Sequence, residues 1–251
     1  MASLNDLVAY LDGNLKTGAI ADYPGAMNGL QLANNGRIDR IIAAVDASLP
    51  VIKAAAEERS ALLIVHHGMF WQGAQPITGS LYEKLRIAME ANLAIYSSHL
   101  PLDVHPEWGN NIQLAKAIGI ENPQPFYQSK NLEIGLRGTW QGSREALAAL
   151  LSATLGEKVH VCPGGPDQIS SVGLITGGAG SEVGGVAAAG VDTFITGEGP
   201  HWSYPLAEEC GINLFYCGHY ATETSGVKAA AKALGTTFGL PERFLHHPSG
   251  L

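Results

Sequence analysis

Basic side chains are scarce in this chain: 15 Lys and Arg stand against 23 Asp and Glu, a formal net charge of −8 over 251 residues. Nucleic-acid partners are disfavoured, because phosphate binding needs a basic face that this balance does not reveal. Cysteine is equally sparse. Cys162, Cys210 and Cys217 form no C-x-x-C pair and are odd in number, which argues against a disulfide framework and leaves them as small buried hydrophobes. No apolar run approaches the ~20 residues that a membrane helix requires, so no membrane partner is expected. Met1-Ala2-Ser3-Leu4-Asn5-Asp6 is polar and leads into an amphipathic stretch rather than an apolar core, and a cytoplasmic location is the expectation.

What the chain does have is glycine and apolar residues, 31 of the former and 46% hydrophobic residues overall, the mark of a glycine-punctuated α/β enzyme type. The length suits one large domain or two medium ones. An apolar stripe at Leu4, Leu7, Val8 and Leu11 predicts a first helix. A turn-rich stretch, Asp22 to Gly29, follows. Apolar runs then predict strands at 40–46, 61–65 and 94–98, with helices at 48–59, 80–91 and 111–118. Pro123 and Pro125 mark a boundary, giving lobes 1–125 and 126–251. The second lobe repeats the alternation, with strands at 133–140, 158–161, 171–176, 192–196 and 213–217 and helices at 143–155, 177–190, 201–210 and 222–234. Strands separated by helix-length segments predict parallel βαβ units.

One strand ends unusually. Leu62-Leu63-Ile64-Val65 runs into His66-His67-Gly68, which sets two imidazoles at the carboxyl edge of a sheet, where open α/β proteins keep their sites. A weak internal repeat adds to it. The third strand of the first half leads to His99-Leu100-Pro101-Leu102-Asp103, and the matching strand of the second half to His219-Tyr220-Ala221-Thr222-Glu223, so both end in His-x-x-x-carboxylate. The middle strand of the second half ends in Thr196-Gly197-Glu198. His66, His67, Asp103, His219 and Glu223 together are a mixed nitrogen and oxygen donor set suited to zinc, iron, manganese, cobalt or nickel. Five donors exceed what a single open catalytic ion needs. Two divalent ions about 3.5–4 Å apart, one histidine of the pair serving each and a carboxylate bridging, would activate a shared water.

These motifs identify a family resemblance that covers almost the whole chain. Asp22-Tyr23, Asn28-Gly29-Leu30-Gln31, Ile64-Val65-His66-His67-Gly68 with Phe70-Trp71, His99 to Asp103 leading to Gly109-Asn110-Asn111, Phe194 to Glu198, and Gly218 to Glu223 together resemble the NIF-three-like proteins (NGG-one interacting factor three), also called GTP cyclohydrolase 1 type 2 homologues. The match is to the short bacterial members, without the inserted central domain. The resemblance implies two related α/β/α lobes facing each other across a dinuclear site of His66, His67, Asp103, His219 and Glu223, with Glu223 as the bridge. It implies a homohexameric ring. The family's Thr-Gly-Glu/Asp segment is followed by a histidine that approaches the site, and here His201 stands at a slightly different spacing.

Other signals have plainer readings. His99 and Glu198 read as orienters of the ligands, and with His201 they are the candidates for moving protons. Gly177-Gly178-Ala179-Gly180 follows a strand but has neither a P-loop lysine nor dinucleotide spacing, so a tight turn is its default and a phosphate contact the alternative. Phe70 and Trp71 read as packing ahead of base stacking, His105 and His160 as surface residues, and His246-His247 as a terminal loop. The reading is a metal-dependent hydrolase, cyclohydrolase-like, acting on a nucleotide-like or phosphate-containing substrate. The alternative is a metal-binding scaffold, metallochaperone or regulatory interaction protein without catalysis.

Overall fold

The computed structural model describes residues 1–129 and 131–251. By its contacts the chain forms two compact units, Met1–Leu102 with Gly226–His247, and Asp103–Ser225 with Pro248–Leu251. The architecture is mixed α/β, as the sequence predicts.

The first unit is built on a five-stranded sheet in the order Glu242–Phe244, Arg40–Asp46, Ala61–His67, Ala94–Ser97, Gly29–Leu32. The first four strands are parallel and the last pairs antiparallel to Ala94–Ser97. The central strands are fully buried apolar runs, as expected where helices cover a parallel sheet. Helix Leu49–Ala56 begins on an N-cap, the Ser48 hydroxyl accepting from the Val51 N–H, with a proline in its first turn. It packs Val51, Ile52 and Ala55 into a core with Ile42, Leu63, Val65 and Ile95. Leu245, from the far end of the chain, belongs to the same core.

The second unit carries a six-stranded sheet in the order Glu121–Ser129, Leu132–Ser143, Gln168–Leu174, Thr193–Thr196, Asn213–Tyr216, His160–Pro163. Only its middle is parallel, Gln168–Leu174 beside Thr193–Thr196 beside Asn213–Tyr216. The flanking strands run antiparallel, so the prediction of parallel βαβ units throughout is corrected here. Pro123 and Pro125 lie in the outermost strand, where the missing N–H costs no ladder bond. Two apolar clusters flank this sheet, one around Leu147, Leu151 and Phe215 and the other around Val183, Phe194 and Leu214. No helix among the described residues is long and apolar enough to cross a membrane.

Each sheet delivers the carboxyl ends of its parallel strands to one edge, and the sequence singled out those ends. Strand Ala61–His67 stops at the tandem histidines, Ala94–Ser97 leads into His99, Thr193–Thr196 into Glu198, and Asn213–Tyr216 into His219.

Candidate metal centre

In the first unit, one ring nitrogen from each of His66, His67 and His99 lies within 4.8 Å of the other two. His66 is fully buried, and its Nδ1 lies 2.9 Å from the Ser98 carbonyl oxygen. His67 Nδ1 lies 2.9 Å from Asp46 Oδ1. His99 Nδ1 lies 2.9 Å from Asp22 Oδ1. Carbonyl and carboxylate oxygens only accept, so each Nδ1 carries a proton and, in the neutral ring, the lone pair sits on Nε2. That tautomer is the one a metal-ligating imidazole or a general base needs, with the opposite nitrogen anchored.

The partners come from neighbouring strands and turns. Asp46 ends strand Arg40–Asp46 in register with His67 on the adjacent strand. Asp22 collects several donors at once: His99 Nδ1, Asn28 Nδ2 at 2.8 Å, and the backbone N–H groups of Tyr23 and Leu100. Burial by itself would raise the Asp22 carboxyl, but the hydrogen bond and charge of His99, with help from Asn28 and Tyr23, hold it below its ordinary value. Asn28 Oδ1 in turn accepts the His99 N–H at 2.7 Å, so the ring is fixed through both its backbone and its Nδ1. Gln31 clips the turn after the histidines. Its Oε1 accepts the Met69 N–H, its Nε2 donates to the Ala26 and Met27 carbonyls, and a Cβ at Gly68 would stand 2.2 Å from its amide nitrogen. Tandem histidines would alternate faces on a continuing strand; glycine lets the chain turn there under Gln31.

Trp71 meets the edge of His99 at 4.9 Å and of His67 at 5.8 Å between ring centroids, so this aromatic packs on the histidine cluster while remaining 38% exposed.

The second unit holds the other group. His219 Nε2 lies 3.2 Å from Glu223 Oε2, and His219 Nδ1 lies 2.7 Å from Glu198 Oε1. Burial pulls this imidazole down, but the hydrogen bonds and charges of Glu223 and then Glu198 outweigh it and hold the ring up to about 9. The Glu223 side chain is only 3% exposed. Asp103 is buried, and its Oδ1 accepts from Asn110 at 2.8 Å. Asn111 donates to the Asp103 carbonyl and accepts the Thr176 N–H, tying the Gly109-Asn110-Asn111 segment to the chain just past strand Gln168–Leu174.

The structure gives Gly177-Gly178-Ala179-Gly180 a job that needs no phosphate. Gly177 has a φ of +71°, and a Cβ there would come 2.2 Å from Glu223 Oε1; one at Gly178 would come 3.4 Å from the His219 ring. The Gly177 carbonyl accepts the N–H groups of Gly197 and Glu198, and the Gly177 N–H donates to Thr222 Oγ1. The loop is glycine because it passes against His219 and Glu223 with no room for a side chain.

His201 lies in the turn before helix Ser203–Cys210 and lines a cavity with Glu198. His160, read from sequence as a surface residue, lines the same cavity. His105 stacks on Trp108 at 4.5 Å, and its Nδ1 accepts the N–H groups of Glu107 and Trp108. Sequence reasoning missed Asp46 and Gln31 as positioning groups and gave Asp22 and Asn28 no individual role. The strand-end register of Asp46 with His67 was the one signal that could have revealed a partner.

A family model described as Duf34/NIF3 (NGG1p interacting factor 3) matches residues 2–246. The chain belongs to this family. Among NIF3-family relatives, a Deinococcus radiodurans protein named GTP cyclohydrolase 1 type 2 homolog is 40% identical over 249 residues, covering 98% of this chain and 94% of that one. A Halobacterium salinarum protein of the same name is 37% identical over 254 residues, covering 99% of each. The crystal structure of TTHA1606 from Thermus thermophilus is similar at a TM-score of 0.90 and 37% identity, covering 99% of this chain and 100% of that one. The NIF3 resemblance read from the motifs is thereby shown.

Proposed function

We propose that this NIF3-family chain binds two divalent transition-metal ions, zinc, iron, manganese, cobalt or nickel, and is a metal-dependent hydrolase of the GTP cyclohydrolase 1 type 2 kind. In this reading two related α/β/α lobes share a dinuclear site whose ligands are His66, His67, Asp103, His219 and Glu223. The observation that carries the proposal is the anchoring of Nδ1 on an oxygen acceptor at His66, His67 and His219, which readies each Nε2 for a cation. Held by these residues, two such ions would supply a water acidified toward neutrality and a Lewis acid for the attacked centre.

The chain's own residues supply the rest. His99, clamped by Asp22 and Asn28, presents Nε2 as the acceptor of a proton from attacking water and its donor to a leaving group. Glu198 keeps His219 in one orientation through Nδ1. Trp71, packed on His67 and His99, excludes water from that side of the cluster. The substrate class proposed is nucleotide-like or phosphate-containing, in line with the name of the relatives.

Elemental analysis of purified protein, followed by turnover assays of the metal-loaded form on purine nucleotides and phosphoesters, tests both halves. His66→Ala and Glu223→Ala should lose bound metal while circular dichroism stays native; metal retained in full would show that the ligands are others. Bound metal with no turnover across the panel would leave the non-catalytic scaffold or metallochaperone in place of the enzyme.

A further inference from the structure

The second unit contains a cavity of about 590 Å³, within the range of small-molecule sites. One of its walls is aromatic. His160 and Tyr216 are register partners on adjacent antiparallel strands, their rings 6.1 Å apart with 24° between planes, and Tyr204, from helix Ser203–Cys210, meets His160 at 5.6 Å. Tyr216 is fixed from behind. Ser203 Oγ donates to the Pro200 carbonyl at 2.6 Å, so at 2.5 Å it accepts the Tyr216 hydroxyl proton, and the ring cannot turn away from the cavity without losing that bond. Burial first, and then its neighbours Cys162 and Glu208, push the Tyr204 phenol above its ordinary value, and burial does the same to Tyr216. Both rings are neutral at physiological pH.

What the cavity lacks narrows the ligand. No Lys or Arg is among the described residues that line it, so an anionic group would meet no fixed positive charge there. The faces of neutral tyrosine rings are negative and attract a cation. The surroundings have the same sign, since the chain is acidic overall at −8 and Glu208 stands one turn beyond Tyr204 on the same helix. Glu198 also lines the cavity, but the attraction to the ring faces does not depend on it. Hydration selects the kind of cation. A primary ammonium is strongly hydrated and keeps its water unless acceptors replace it, which ring faces do not. A quaternary ammonium has no N–H to satisfy and spreads its charge over its methyl groups, so it sheds water readily and packs those methyls on the rings.

We infer that this cavity is a binding site for a quaternary ammonium group, the trimethylammonium end of a small organic cation seated against the ring faces of Tyr204 and Tyr216, with His160 packed against both as part of the wall. The inference goes beyond the hydrolase reading and does not rest on it. The site uses no metal, and its ligand is positive where that reading takes a phosphate-containing substrate.

Choline and its neutral isostere 3,3-dimethylbutan-1-ol have the same shape and differ in one charge. Titration of each into the full chain by ligand-observed NMR, after EDTA treatment and at mildly alkaline pH where free imidazole is neutral, reads the site without metal. Choline should bind about three- to thirtyfold more tightly than the alcohol, the range expected for a cation on aromatic faces. Tyr204→Phe, which keeps the ring, should retain that ratio. Tyr204→Leu should bring it close to one while the alcohol binds as before. Thermal melts confirm that both variants fold, and the ligand pair on the unaltered protein stands without them. Equal binding of choline and the alcohol, no choline binding at millimolar concentration, or displacement of choline by inorganic phosphate would overturn the site. Choline selectivity in a protein that takes up no metal would overturn the dinuclear reading and keep this site, whereas stoichiometric metal without choline selectivity would do the reverse.

Discussion

His99 donates its Nδ1–H to Asp22 across 77 residues of sequence, at 2.9 Å, while the Asp22 side chain is only 5% exposed. A carboxylate so placed can only accept, and that fixes which nitrogen of His99 meets solvent or substrate.

Asp22→Asn keeps the shape but lets an amide N–H face Nδ1, which favours the other tautomer. Turnover on any substrate found should fall roughly 100- to 10,000-fold, the usual share of a general acid–base group. Metal content should stay at the native level, and urea unfolding should show a loss of about 1–3 kcal/mol. Because Asp22 is held below its ordinary value in the folded state, the stability it contributes is present at neutral pH and disappears as pH falls through that lowered value. An acid titration of unfolding, with Asp22→Asn flatter than the native protein over that range, checks the sign.

His219 titrates the other way. Held up to about 9 against an ordinary 6.5, it is protonated at neutral pH in the metal-free protein. The stabilising contribution of the cation between Glu198 and Glu223 is complete below 6.5 and is lost as pH rises through about 9. A cation entering at Nε2 must displace that proton, so metal affinity should rise with pH up to about 9. Calorimetry of metal binding at neutral pH in two buffers of different ionisation enthalpy should report proton release, and Glu198→Gln should reduce it.

Gly177→Ala tests the loop against His219 and Glu223. The added methyl would stand 2.2 Å from Glu223 Oε1 on a backbone with φ +71°. Left-handed strain alone costs about 1–2 kcal/mol, and the displaced Glu223 should take bound metal with it. Gly190→Ala is the control. It has φ +85° and nothing within 4 Å of the new methyl, so it should show the strain in thermal unfolding and keep its metal.

Assembly offers a fourth test. Tyr82 and Met89, 49% and 61% exposed, lie two turns apart on one face of helix Gly79–Glu90, with Ile77 at 60% just before it. Apolar side chains aligned on a surface helix mark contact sites. A homohexamer is the expected solution state by sedimentation, and Tyr82→Glu combined with Met89→Glu should shift the chain toward smaller species.

Much of the architecture was legible because its buried strands are uninterrupted apolar runs. Arg40–Asp46 and the stretch ending at His67 announce themselves by composition. Gly29–Leu32, Glu121–Ser129 and Glu242–Phe244 do not. All three lie at sheet edges, carry glycine, proline or charge, and owe their extended form to a neighbour's backbone. The histidines were legible as ligand-grade groups from their place at strand ends. Their acceptors were not, since Asp46 and Asp22 reach them only through sheet pairing and a returning turn. The glycine loop at 177–180 was legible as a tight turn but no further, for a related reason: sequence shows that a side chain is missing but not what occupies its space.

Strand Glu242–Phe244 pairs with Arg40–Asp46, and the Leu245 N–H donates to the Ala43 carbonyl at 2.8 Å. During synthesis the first unit, which carries His66 and His67, must therefore wait for Glu242–Phe244 before its sheet is complete, whereas Asp103–Ser225 emerges earlier as one continuous stretch. The tandem histidines are made early and housed late, so a chain cut before Glu242 would leave those imidazoles on an unfinished sheet.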